Sequence, residues 1–350
     1  MARFALLILP SANRVYADAA PVLAQAELAV FSSGALGGSI CEIAGATISG
    51  VPYVTFEAAD LSEHTASTLA NLSVGYALFE VTGGLLRPVD MRRLDRYDDD
   101  LITIQKYQGK TNEQFTKLLL NVTVLSSAFG SALLNRKLLV LDPLCGRGTT
   151  LNQALMYGFD ASGLDIDRKE FDAYTAFIQT WLRRKRMKHH CDYDGPVRRN
   201  GKVVGRRLQI TMAPTKDAYK SGATQLLDVV NADTRSAGEF FRRATADAIV
   251  TDAPYGVQHG SRTAVKGLSR RPLDLLAEAV PVWTELLRPG GAIGISWNTL
   301  VARREDAARI LAGAGLEPIE EAPYLSFRHR VDQAIVRDII VARKPAQAIG

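Results

Sequence analysis

Apolar positions fall into two kinds of run along this chain. Short runs rich in β-branched and aromatic residues, bounded by Gly or Pro, predict strands at "FALLILP" (4–10), "VPYVTFEA" (51–58) and "YALFEVTG" (76–83). Between the first two, Arg14 to Phe31 repeats Ala and Leu with helical spacing. From about residue 101 strands and helices alternate. "KLLVLDP" predicts a buried strand, Thr149 to Tyr157 a helix, "DASGLDID" a strand and Arg168 to Arg184 a helix. "TQLLDVVNADT" and "ADAIVTDAPYG" follow as strands, then a helix from Pro272 to Leu287, the strand "GGAIGISWN" and a helix from Arg303 to Ala314. Two last strands are expected near Leu316 to Ser326 and Asp332 to Ala342. Such alternation predicts a mostly parallel sheet covered on both faces, with ligands beyond the carboxyl ends of its strands. The polar connector "DMRRLDRYDDD" divides a small α/β unit (1–100) from this doubly wound domain (101–350). There is no internal repeat and no low-complexity tract.

Composition narrows the class. With 47% apolar residues the chain can bury a sizeable core. Its opening, "MARFALLILPSANR", has too short an apolar run and no small-residue cleavage site, so a buried first strand is expected rather than a secretion signal. No run approaches the roughly 18 apolar residues that span a bilayer. Cys41, Cys145 and Cys191 are far apart and form no disulfide or metal pattern, which points to a reducing, cytoplasmic setting.

Charge matters by its distribution. Lys and Arg number 42 against 37 Asp and Glu, a modest net +5. Yet Arg183, Arg184, Lys185, Arg186, Lys188, Arg198, Arg199, Lys202, Arg206 and Arg207 crowd together, opposed only by Asp192 and Asp194. This basic insertion of about 183–220 is either a solvated loop or, as expected here, a surface for a phosphate backbone.

The candidate chemistry sits at strand ends. In "LVLDPLCGRGTTLNQAL" a strand passes through a glycine loop into a helix, which turns backbone N–H groups and a positive helix end toward a ligand. Leu151 occupies the third position of a dinucleotide fingerprint, and the Gly-Lys-Ser/Thr of a phosphate loop is absent. Asp142 before the loop would repel phosphate and suits an ammonium or hydroxyl group. Pro143, Cys145, Gly146, Gly148, Thr149 and Thr150 complete this candidate binding loop. Asp165, 23 residues beyond Asp142, is placed to accept from both ribose hydroxyls, while Asp167 caps the next helix. Asp233 in "NADT" can accept from an adenine amino group or be a plain turn residue. Together these describe a pocket for a nucleoside with a charged amino-acid tail and no phosphate, a description that S-adenosylmethionine meets.

"TDAPYG" supplies the second half of a reaction. A base's exocyclic amine is a poor nucleophile because its lone pair is delocalised into the ring. A site that methylates it must align that lone pair and offset the charge developing on nitrogen. Asp252 and a backbone carbonyl at Ala253 or Pro254 can accept the amine hydrogens, Pro254 fixes the turn, and Tyr255 offers a stacking face for an extruded base.

"LDPLCGRGTT", "GLDID" and "TDAPYG" resemble motifs I, II and IV of class I S-adenosylmethionine-dependent amino-methyltransferases. They are most similar to the RNA guanine-N2 methyltransferases of tRNA whose relatives carry a THUMP domain. The likeness covers roughly residues 105 to 300. "YQGKTNEQFTKLLLNVTVLS" resembles the segment preceding motif I in that family, which implies Lys110, Thr111 and Asn112 as neighbours of the cofactor. The implied fold is a Rossmann-like, mostly parallel sheet with an antiparallel last strand, and the implied partner is RNA. The family's Asp-Pro-Pro-Tyr is altered here by Ala253, which keeps a carbonyl but loses one rigid φ. The first ninety residues match the family's leader region rather than a full THUMP half, so substrate delivery falls to the basic insertion.

Other residues carry less. The adjacency of His189, His190 and Cys191 cannot readily form a tetrahedral zinc site, so no metal is expected. His259 is either a substrate neighbour or an idle loop residue. Arg262, Arg270 and Arg271 could meet a bound nucleotide's phosphates. Trp181 and Trp283 fit helix cores. The rival functions are a DNA adenine-N6 or cytosine-N4 methyltransferase, and an inactive RNA-binding protein that retains the fold. A small-molecule methyltransferase would leave the basic insertion without purpose.

Overall fold

The computed structural model describes residues 1–253 and 272–346. The first unit contains β1 (Ala2–Ile8), α1 (Arg14–Ala35), β2 (Ile40–Ile48), β3 (Val51–Ala58), α2 (Glu63–Leu69), β4 (Gly75–Thr82) and β5 (Leu85–Val89). Its strands form one antiparallel sheet in the order β2-β3-β1-β4-β5. The short α3 (Asp100–Thr103) and the helix α4 (Glu113–Ser126) lead into the second unit.

There β6 (Leu139–Asp142), α5 (Thr149–Met156), β7 (Asp160–Asp165) and α6 (Arg168–Arg184) come first. They are followed by β8 (Lys188–Arg199), β9 (Lys202–Ala213), α7 (Lys216–Lys220), β10 (Gln225–Asn231) and β11 (Ala246–Asp252). The chain ends with α8 (Pro272–Leu286), β12 (Leu287–Asn298), α9 (Arg304–Gly313), β13 (Glu317–Pro318), β14 (His329–Arg330) and β15 (Val336–Arg343). The order across the sheet is β13-β15-β12-β11-β6-β7-β10-β9-β8, with β14 paired to β15. β10, β7, β6, β11 and β12 are parallel and β15 is antiparallel. This is the expected Rossmann-like, doubly wound sheet with an antiparallel last strand. Among the described residues no helix is long and apolar enough to cross a membrane.

Strand residues divide between the two faces with period two. Val140, Ala248, Val250, Ile339 and Val341 face the α1, α4, α5 and α6 side. Leu141, Ile249, Ile340 and Ala342 face α8 and α9. The first core also takes in Phe4, Leu6, Val54 and Phe56, so the small N-terminal sheet and the large sheet share it. α4 lies between them and is apolar nearly all round, with every residue from Leu118 to Ser126 buried, as a helix enclosed by protein must be.

Two stretches differ from expectation. Of Leu316 to Ser326 only Glu317–Pro318 pairs as strand; beyond it, turns close from Glu321 O to Tyr324 N and from Pro323 O to Ser326 N around Pro323. The basic segment is not a loop. It is a long antiparallel hairpin, β8 and β9, added to the edge of β10. Asn200 (φ 48°) and Gly201 (φ 76°) form its turn, and an Asn-Gly pair between strands is a strong hairpin signal that the charge of the surrounding residues obscured.

Candidate active site

Chain order reverses direction between β6 and β11, since β7 and β10 lie on one side and β12 on the other. Parallel sheets open a crevice at such a point, beyond the carboxyl ends of the strands. Asp142 ends β6, Asp165 ends β7 and Asp252 ends β11. Three of the predicted acids therefore line one crevice.

Asp142 is buried, and its Oδ1 accepts from Leu144 N–H at 3.1 Å. Burial pushes its pKa up to about 7. Asp165 accepts from Gly146 N–H at 2.8 Å and Asp167 N–H at 2.7 Å, and burial raises it to about 6. Neither acid meets a cation among the described residues, although a buried carboxylate is costly without one. An ammonium group and hydroxyl donors on a ligand would offset that cost. Asp167 accepts from Lys169 N–H and caps α6, as its spacing predicted.

The loop between β6 and α5 is held in one shape. Cys145 N–H donates to Leu164 O and Gly148 N–H to Cys145 O. Gly148 has φ +74°, and a Cβ there would meet the Tyr174 ring at 2.3 Å, so only glycine fits. At Gly146, φ +49°, a Cβ would meet nothing within 4 Å, so that backbone stands open toward the crevice. Pro143 and Cys145 are buried in the loop, Thr150 is buried on the first turn of α5, and Thr149 faces the Tyr107 hydroxyl at 3.1 Å. Burial raises the Cys145 thiol well above its ordinary value, which keeps it an inert packing group.

Asp233 lies just beyond the end of β10, where it caps a short 3-10 turn, and its carboxylate is engaged by Arg235, whose Nε lies 3.0 Å from both oxygens. Those hydrogen bonds hold it below its ordinary pKa. Lys110 donates to Ile102 O and Glu113. Asn112 caps α4 through Phe115 N–H and donates to Ser11. Among the three pre-loop residues, Thr111 is the one that reaches a strand-end acid, Asp252.

Asp252 is held by side chains on both of its oxygens. Thr111 Oγ1 donates to its Oδ2 at 2.6 Å, Ser296 Oγ donates to its Oδ1 at 2.7 Å, and Arg337 stands 3.4 Å from Oδ2. A carboxylate has about four acceptor positions, so at least three are engaged and little capacity remains for a ligand amine. Ser296 has a second task. Its carbonyl accepts from Ala253 N–H at 2.8 Å, so a hydrogen bond restrains the backbone where the family pattern has a proline ring. Sequence reasoning missed Ser296 and Arg337. Their only signal was placement, at the carboxyl edge of β12 and directly across from it on β15, where Asn298 pairs Arg337. Pro254, Tyr255, His259, Arg262, Arg270 and Arg271 lie outside the described residues.

The basic run is continuous in sequence and divided in space. α6 starts beside Asp165 and runs back, so Arg183, Arg184, Lys185 and Arg186 reach the amino edge of the sheet, where β8 begins opposite Ala213. Because Arg206 pairs with Asn231 at the carboxyl end of β10, residues 202–205 and their β8 partners continue past it. Four residues of strand are about 13 Å. Arg198, Arg199 and Lys202 thus stand on the crevice side and the helix-end group on the other. Several of these cations already have partners. Arg207 pairs bidentately with Asp228, Arg199 with Glu239, and Lys185 with Asp98 and Asp100. Arg206 stands 3.9 Å from Asp194. His189, His190 and Cys191 are on the edge strand β8, and among the described residues no His, Cys, Asp and Glu cluster could hold a metal.

No protein-family model and no curated protein matches the chain. Among solved structures it is similar to the 1,6-didemethyltoxoflavin-N1-methyltransferase of Burkholderia thailandensis, which was solved with S-adenosylhomocysteine bound. Identity is 17% and the TM-score 0.36, over 63% of this chain and 76% of that one. It is also similar to an rRNA methylase from Streptococcus thermophilus, with 9% identity and a TM-score of 0.34 over 68% of this chain and 99% of that one. Likeness this remote decides nothing about substrate.

Proposed function

We propose that the chain is a methyltransferase that moves the methyl group of S-adenosylmethionine to an exocyclic base nitrogen of RNA, with guanine N2 of tRNA as the target its motifs favour. One observation carries this reading. At the switch point, two acids that meet no cation among the described residues, the buried Asp142 and the half-buried Asp165, end strands on the same sheet edge as a third, Asp252, that Thr111 and Ser296 hold in place. S-adenosylmethionine would supply an electrophilic methyl on a sulfonium. Asp142 suits its ammonium, Asp165 its ribose hydroxyls, and the amides around Gly146 its approach to the loop.

On the other side, Asp252 accepts a hydrogen from the attacking amine and offsets the positive charge growing on nitrogen. Nitrogen forms the new bond to carbon, the carbon–sulfur bond breaks, and its electron pair stays on sulfur. The nitrogen then loses a proton to solvent. Since Asp252 has so little free acceptor capacity, the second amine hydrogen needs another acceptor, a role for which a backbone carbonyl at Ala253 or Pro254 is proposed. Tyr255 would stack on the base and Pro254 fix the turn. RNA would be drawn by the cations of the hairpin tip.

The test is Asp252→Ala. Turnover on RNA should vanish while calorimetry gives a cofactor affinity within a few-fold of wild type. Joint loss of both would make Asp252 a structural residue and remove the basis of the proposal.

A further inference from the structure

Behind Asp252 lies a group that none of the roles above uses. Arg337 is 5% exposed, and its guanidinium is stacked 4.3 Å from the centre of the Phe115 ring while it faces Asp252. Phe115 lies on α4, in the segment between the two sheets. The His329 ring is tilted against it at 5.2 Å. Tyr16, from α1 of the N-terminal unit, stands edge-on to Phe115 at 6.5 Å and to His329 at 5.9 Å.

A charge pair this deep is not there for stability alone, because desolvation offsets most of its attraction and an apolar pair would pack as well. Removing one partner, however, leaves the other charge uncompensated. The aromatic rings of the wall add no second positive charge, since His329 is neutral. His329 Nδ1 stands 2.9 Å from Phe327 O, which can only accept, so that nitrogen carries the hydrogen. Burial lowers the ring's pKa to about 4 and keeps it neutral.

We infer that Arg337 is a positioning residue for Asp252, holding the carboxylate in the one orientation from which it can accept the substrate amine, inside an aromatic cage whose outer wall, Tyr16, belongs to the N-terminal unit. The inference rests on the role proposed for Asp252. It gives the N-terminal unit a part in turnover as well as in folding. A cavity of about 250 Å³ lies against the cage; Tyr16, Thr111, His329 and Arg337 line it together with the cations Lys110 and Arg330, of which Lys110 is paired with Glu113. The cavity provides an entry path to the position of the guanidinium.

That cavity makes a chemical test possible. In Arg337→Ala, kcat on RNA should fall roughly 100-fold, the effect of losing orientation at a reacting centre. KM for RNA and Kd for S-adenosylhomocysteine should stay near wild type. Millimolar guanidinium chloride should restore part of kcat, and urea, a neutral molecule of the same shape, should not. Arg337→Lys keeps the charge without the planar fork and should be intermediate. If the alanine variant no longer binds S-adenosylhomocysteine, Arg337→Lys decides, and wild-type kcat in it overturns the inference. Unchanged kcat in Arg337→Ala, or absence of rescue in a folded, cofactor-binding variant, overturns it too. A wild-type protein inactive on every nucleic acid would instead sink the proposed function, so the two failures are distinguishable.

Discussion

Asp142 shows how a single side chain ties binding to pH. It ionises near 3.8 in an unfolded chain and only at about 7 in the folded one, because burial disfavours the charge. The folded protein thus holds a proton that the unfolded chain releases. This group's contribution to stability is full below about 3.8 and is lost as pH rises through about 7. Ligand binding runs the other way. An ammonium pairs only with the ionised form, so affinity for S-adenosylhomocysteine should rise roughly tenfold between pH 6 and pH 8. Asp142→Asn should bind more weakly and lose that dependence. Equal pH slopes in the two proteins, measured by calorimetry, would remove the ammonium from this position. Asp142, Asp165 and Asp252 were legible because each ends an apolar strand and interrupts it with a charge. Ser296 and Arg337 were not, because "GISWN" and "AIVRD" read as ordinary strands and only pairing across the sheet brings them to Asp252.

At the scale of elements, periodicity served well where burial is one-sided or complete. The helix over Arg168–Arg184 and the strand at "DASGLDID" lie where they were expected. It failed where charge hid a β pattern. β8 is exposed on both faces over most of its length, so no apolar alternation marks it, and only the Asn-Gly turn could have. The hairpin changes what the basic run means. Neutralising Arg198 and Lys202 at the tip should weaken RNA binding and reduce its salt dependence, since each phosphate contact contributes about one unit of slope. The same exchange at Arg184 and Arg186, at the opposite edge of the sheet, should leave both nearly unchanged. Filter binding across a salt series separates these outcomes. Equal losses from the two pairs would mean that RNA wraps the sheet rather than its crevice edge.

For the molecule as a whole, the shared core matters more than the boundary expected at residues 90–100. Glu27 of α1 is fully buried and accepts from Ser73 N–H and from Asn121 Nδ2 at 2.7 Å, while Tyr157 donates to Asn121 and to Asn71 O. This network joins α1 and the α2–β4 connection of the N-terminal unit to α4 and the end of α5. Composition and spacing could place the two units in order but could not show that α4 serves both, because a helix apolar all round gives no direction to its packing. The same helix carries Phe115 on its first turn, next to the cap that follows Thr111, so α4 links the N-terminal unit to Asp252. Such an arrangement is suited to a large substrate presented across the carboxyl edge. The most direct test is to incubate the protein with a methyl-labelled donor and, separately, unmodified tRNA, rRNA and unmethylated DNA, then identify the labelled nucleoside by mass spectrometry. The account predicts label on an exocyclic amino nitrogen in RNA, with N2-methylguanosine from tRNA the expected product. Label confined to DNA, to a ring nitrogen or carbon, or to ribose would contradict it.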